Sequence, residues 1–149
     1  MADAIIDIVG QEDLPVIVEL YNRIYRPNRD LESFRRRVQG RHNVLQMVAR
    51  IKDLPVAFFT GFELKPDTFF PWFYGVHSDF RRQGIATQLF EAVHEWAHEQ
   101  NYQSIRLECP NAARPMLHLA LDLEYSIVGI RWDTEHVDNM VICEKVIEG

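Results

Sequence analysis

Hydrophobic and polar positions alternate with two different periods along the chain. Residues 4–9 are a β-branched run and predict a first strand. Leu14, Ile17, Tyr21 and Ile24 then recur at helical spacing, which predicts a helix over residues 13–25, with Asp13 as N-cap and Pro15 in the opening turn. Pro27 stops it, and Asp30 caps a second, basic helix over residues 30–38 that Gly40 ends. Residues 43–51 and 55–64 read as strands joined by a tight Lys52-Asp53 turn, with a third strand over residues 68–77. Pro71 cannot donate to a ladder, so a bulge or an edge position is expected there.

From Gly84 the period becomes helical. Ile85, Leu89, Val93, Trp96 and Ala97 share one face of a helix ending near Gln100, with Asn101 suited to a left-handed cap. Ile105 and Leu107 mark a strand over residues 103–109, and Met116, Leu119, Ala120 and Leu123 a further helix with Pro115 in its first turn. Strands over residues 125–132 and 137–146 close the chain as a hairpin. This order predicts an α/β (α+β) fold, a mixed sheet with helices on both faces. No linker or repeat interrupts it, so residues 1–149 read as a single domain.

Charge changes the picture in one place. The chain carries −6 overall, which argues against general binding to nucleic acid. Residues 20–45 nevertheless hold seven arginines against Asp30 and Glu32, a local +5, which reads as a solvated helix face or as a patch for an anionic ligand. Cys109 and Cys143 form no metal motif and no disulfide framework, so no metal is expected and a reducing cytoplasm is. The amino-terminal segment has no basic leader, and no apolar run approaches a membrane span.

The stretch RRQGIATQLF concentrates the chemistry. It places Arg81, Arg82, Gln83, Gly84, Ile85, Ala86 and Thr87 between a strand and a helix. The first amides of a helix have no intrahelical partner, and the helix dipole adds positive potential. Gly84 and Ala86 let a ligand approach the backbone, Thr87 offers a hydroxyl, and the arginines neutralise charge. Together they suit a pyrophosphate, although a glycine before a helix also serves as a plain turn. The spacing matches neither a P-loop nor a dinucleotide fingerprint.

VHSDFRRQGIATQLFEAVHEW resembles the acyl-CoA-binding segment of the GNAT superfamily of N-acetyltransferases, matching its pattern at Arg81, Gly84 and Ala86, with Val76 at the strand-end valine. The order of elements resembles the family's over nearly the whole chain. The resemblance implies a mostly antiparallel sheet of about six or seven strands flanked by about four helices. It also implies that backbone amides of residues 82–87 hold the pyrophosphate of acetyl-CoA, that Val76 pairs with the pantetheine arm, and that strand 68–77 splays from its neighbour. Asn111, in ECPNAARPMLHLALDLEY, would face that arm; it is equally an ordinary N-cap. Tyr125 takes the family's aromatic position, while Glu124 replaces its usual glycine and Ala120 its frequent general-acid tyrosine.

The resemblance implies that the acceptor amine attacks the thioester directly, without a covalent enzyme intermediate, and family members often carry Glu or His where this chain has Phe70 and Trp72. Glu63, acting through a water, is the base candidate, and Tyr74 is the acid for the leaving thiolate. Each also has a bland reading, as a strand-end carboxylate and a packed aromatic. His118 reads as structural, and His77 and Asp79 sit by the phosphate turn rather than the thioester. Alternation sends Phe70, Trp72 and Tyr74 to one face and Phe69 and Phe73 to the other. This run reads as a strand buried on both faces, or as one whose Phe70 or Trp72 lines an acceptor pocket for an apolar or aromatic amine; the acidic remainder would instead draw a cationic one. The expected function is acetyl transfer from acetyl-CoA to a primary amine of a small molecule or protein. The alternatives are a non-catalytic acyl-CoA sensor and a structural domain whose turn binds nothing. The closing hairpin could pair with a second copy, as is common in the family.

Overall fold

The computed structural model describes residues 3–147; of the amino-terminal segment read for a leader, residues 1–2 lie outside them. Its strands are β1 (Ile5–Ile8), β2 (Leu45–Ile51), β3 (Leu54–Lys65), β4 (Thr68–Val76), β5 (Ser104–Pro110), β6 (Ser126–Asp133) and β7 (Asp138–Val146). Four helices join them: α1 (Leu14–Ile24), α2 (Leu31–Val38), α3 (Ile85–Glu99) and α4 (Arg114–Asp122). The strands form one seven-stranded sheet in the order β1-β2-β3-β4-β5-β7-β6. β4 and β5 are parallel, and the intervening chain carries α3, the helical crossover such a pair requires. The pairs β1–β2, β2–β3, β5–β7 and β6–β7 are antiparallel.

Two compact units share the chain. They divide inside β3, β4 and α3 and not at a linker. The first comprises residues 1–63 and 72–93. Its core joins Leu14, Ile17, Val18, Leu20 and Tyr21 of α1 to Phe34 of α2, Val48 of β2 and Phe58 of β3. Each such side chain contributes about 1.5–3 kcal/mol by leaving water. The β2–β3 turn follows the sequence reading, since Lys52 and Asp53 both take the positive φ that a tight hairpin demands. Asp30 caps α2 by accepting from the Ser33 amide at 2.7 Å.

The second unit comprises residues 64–71 and 94–149. Strict alternation along β5 buries Ile105, Leu107 and Cys109, as the spacing predicted for the first two. β6 carries one extra residue, Val128, between the pairs Ile127–Cys143 and Gly129–Ile142, a bulge in its ladder with β7. Within this unit β4 pairs with β5 at Thr68–Ser104 and Phe69–Ile105, and Pro71 lies just beyond that ladder.

The structure corrects three local expectations. Asp13 makes no capping hydrogen bond; a 3₁₀ turn over Gln11–Asp13 winds directly into α1 instead, with its first turn bonded to the Gly10 carbonyl. β4 lies inside the sheet, so Pro71 is not on an edge strand. The alternation read along β4 also fails. Trp72 and Phe73 are consecutive, yet their rings stack at 4.0 Å and both meet Phe34, whereas Tyr74 turns to Phe59 and Phe90. A proline that cannot donate immediately precedes this slip of phase.

Candidate active site

β4 delivers its last residue, Val76, to the turn that precedes α3. The His77 amide donates to the Val56 carbonyl of β3 at 2.8 Å, and a 3₁₀ turn over Ser78–Phe80 reverses the chain. Arg82 (φ 63°) and Gly84 (φ 79°) are both left-handed. Gly84 adopts that conformation without strain; Arg82 is held in it at some cost. Among the described residues, the amides of Arg82, Gln83 and Gly84 donate to no protein acceptor. Those of Ile85, Ala86 and Thr87 open α3 and have no carbonyl four residues back within the helix.

Burial holds this row of donors in place. Ile85, Leu89, Phe90 and Val93 are buried, and Gln88 accepts from the Ala4 amide through its side chain at 3.1 Å. Arg82 is exposed at the turn. Arg81 is committed differently, because its Nε donates to the Val76 carbonyl at 3.2 Å and braces the strand end. Residues 81–87 thus form a tight turn whose main-chain amides point away from any protein acceptor among the described residues.

Tyr25, which the sequence reading passed over, braces the strand one step earlier. It caps α1, and its hydroxyl donates to the Tyr74 carbonyl. Gly75 makes room for this contact, since a Cβ there would meet the Tyr25 ring at 3.1 Å and Ile24 at 3.2 Å. Glycine followed by a strand-end valine was the available signal. The Tyr74 ring stacks on Phe59 at 6.1 Å and meets Phe90 edge-on at 5.1 Å. It is half-buried, as is Glu63, whose amide donates to the His42 carbonyl at 2.9 Å.

In the second unit, Asn111 is not the cap of α4. That position is Ala113, and the Asn111 amide donates to the Asn139 carbonyl at 2.8 Å. β5 runs one residue further than expected, to Pro110, and α4 starts only at Arg114, past Asn111. Ala120 is buried and its carbonyl accepts from the Tyr125 amide at 2.9 Å. Glu124, standing for the glycine, takes the glycine's conformation at φ 69°. The Tyr125 hydroxyl and His94 Nε2 lie 2.7 Å apart. Burial, with a smaller contribution from the Lys145 charge, pushes His94 down to about 4, and burial pushes the Tyr125 phenol far up. Burial raises the Cys109 thiol to about 11, helped by Cys143 and Asp138. His118 is exposed. Among the described residues no three His, Cys, Asp or Glu are grouped to hold a metal, and no helix is long and apolar enough to cross a membrane.

Residues 14–124 match the acetyltransferase (GNAT) family. No curated protein sequence matches the chain significantly. Among solved structures, the ribosomal-protein-S18-alanine N-acetyltransferase of Escherichia coli superposes with a TM-score of 0.86 at 18% identity, covering 99% of this chain and 96% of that one. Ard1 from Thermoplasma volcanium gives 0.83 at 16% identity, covering 97% of both chains. The yncA protein of Salmonella typhimurium, solved with its cofactor acetyl-CoA, gives 0.78 at 12% identity, covering 97% and 94%. The fold is therefore the one these proteins share.

Proposed function

Since this chain belongs to the acetyltransferase (GNAT) family, we propose that it transfers an acetyl group from acetyl-CoA to a primary amine by direct attack. The observation that carries this reading is the row of amides from Arg82 to Thr87, left without protein acceptors at the head of α3. A diphosphate fits such a row, because every one of its oxygens accepts and its charge meets the positive end of the helix. Arg82 adds a counter-charge, while Arg81 holds the Val76 carbonyl so that the strand end stays extended toward the pantetheine arm. Asn111 is assigned to that arm on resemblance alone.

The acceptor nitrogen forms a bond to the thioester carbon, the carbon–sulfur bond breaks, and the thiolate leaves. Backbone amides of residues 74–76 are assigned to the carbonyl oxygen, a role worth about 2–4 kcal/mol in comparable sites. Glu63 takes the proton of the amine through a water, and Tyr74 returns one to the thiolate. Positioning supplies much of the remaining acceleration.

Free-thiol release with acetyl-CoA and a panel of primary amines tests this reading. Release is expected with at least one amine. Coenzyme binding without release across the panel would favour the sensor, and no coenzyme binding would leave the structural domain. Glu63→Gln is expected to lower kcat about tenfold or more with little change in acetyl-CoA affinity; an unaltered kcat removes Glu63 as base. A cytoplasmic setting belongs to this reading, as does pairing with a second copy through the closing hairpin. In support of that pairing, β6 ends the sheet with Ile127, Val128, Ile130 and Trp132 half or more exposed. Light scattering that finds only monomer would remove it.

A further inference from the structure

The arginine-rich stretch of residues 20–45 does not lie as a simple solvated face. Three of its guanidinium groups are laid over a continuous row of aromatic rings in the first unit. Arg29 sits 5.3 Å from the Phe73 ring centroid and 5.8 Å from that of Tyr21, Arg37 sits 5.7 Å from Trp72, and Arg41 sits 4.6 Å from Phe62. The rings touch in sequence: Tyr21–Phe73 at 5.2 Å, Phe73–Trp72 at 4.0 Å and Trp72–Phe62 at 5.9 Å.

Stacking of this kind orients a guanidinium through its face, while hydrogen bonding uses the donors on its rim. Arg29 is fixed further, since its amide donates to the Asn22 side chain, its carbonyl accepts from the same amide group, and its Nε donates to the Tyr21 hydroxyl at 3.2 Å. The two acids of the stretch are engaged elsewhere. Asp30 caps α2, and Glu32 pairs with Arg35 and Arg36. Among the described residues no carboxylate lies within ion-pairing distance of Arg41.

The location matters as much as the charge. Trp72 and Phe73 belong to β4, the strand whose residues 74–76 are assigned to the thioester. At the rise of a strand, Trp72 lies roughly 7 Å from Tyr74 and 13 Å from Val76. We propose that the acceptor is an anionic amine, bearing a carboxylate or phosphate roughly 7–13 Å from its reacting nitrogen, and that Arg37 and Arg41 hold that anion. This deepens the acetyltransferase reading and rests on it. It departs from the apolar or cationic acceptor expected from the sequence, because the arginines stack on rings of β3 and β4.

Matched pairs test it. The small-molecule arm compares 6-aminohexanoate with 6-aminohexanamide. The peptide arm compares Ser-Asp-Glu-Ala with Ser-Asn-Gln-Ala, both amidated at the carboxyl end. In either arm the acid is expected to exceed its neutral partner about tenfold in kcat/KM, through KM, with the preference shrinking as salt is raised. The arm that shows the preference identifies the source of the anion. Arg37→Gln combined with Arg41→Gln is expected to bring the ratio to within about twofold, while Arg37→Lys combined with Arg41→Lys retains part of it. Circular dichroism checks the fold of each variant. Saturation-transfer NMR of 6-aminohexanoate and the acidic peptide reads binding without turnover, so a silent transferase still leaves the arginine assignment measurable. Equal behaviour of acid and neutral partner in both arms, or a preference that survives the double glutamine variant, overturns the proposal.

Discussion

The turn at residues 81–87 and the cluster around His94 and Tyr125 use polar groups in opposite ways. At the turn, main-chain donors lack protein acceptors among the described residues, and a non-glycine residue, Arg82, is held left-handed. In the cluster, the histidine and the phenol satisfy each other at 2.7 Å, and burial keeps both neutral near pH 7. Burial likewise holds the thiols of Cys109 and Cys143 in their neutral forms. The groups proposed to meet a ligand are backbone amides, which carry no letter of their own. An unsatisfied donor costs stability unless water or a ligand takes it, so a row of them is a stronger pointer to function than a satisfied histidine.

Four measurements sharpen or break that contrast, in decreasing order of effect. Gly84→Asp is expected to reduce acetyl-CoA affinity at least about 100-fold, because a carboxylate enters the anion site and a side chain is forced to φ 79°. Calorimetry measures this, and unchanged affinity in a folded variant would break the assignment of the turn. Tyr125→Phe should cost about 1–3 kcal/mol, since the buried hydrogen bond between its hydroxyl and His94 is lost. Denaturant unfolding reads that loss, and kcat/KM measured below the melting range should stay near the parent value; a selective loss of turnover would give the pair a catalytic role.

The third measurement is a pH series. His94 titrates at about 4 in the folded chain against 6.5 in the unfolded one, so the unfolded state binds the extra proton first. Its contribution is fully present above pH 6.5 and is lost as pH falls toward 4. After discounting for partial exposure, about 1–2 kcal/mol of stability should disappear over that window. His94→Gln should flatten this part of the profile; a slope as steep as the parent's would place its origin elsewhere. The smallest effect is Glu124→Gly, expected to stabilise by about 1 kcal/mol by relieving a glutamate held at φ 69°. A lowered melting temperature would show that the chain-entropy cost of the glycine outweighs that strain.

Local order was legible where a single element decides it. The period of Ile85, Leu89, Val93 and Ala97, the Lys52-Asp53 turn and the Asp30 cap all follow from neighbours within four residues, and the structure keeps each. The turn at residues 81–87 and its unpaired helix-start amides were equally readable, because they need no distant partner. What the tertiary structure decided involves groups far apart in the chain. It seats the Tyr25 hydroxyl on the Tyr74 carbonyl, slips the phase of β4 after Pro71, and lays arginines of residues 29–41 across rings from α1, β3 and β4. Asn111 and Asp13 misled for the same reason, since whether a side chain caps a helix depends on where the preceding strand or turn releases the chain. Hydrogen bonds and stacking act over a few ångströms, so the residues they join are named only once the fold has brought them together.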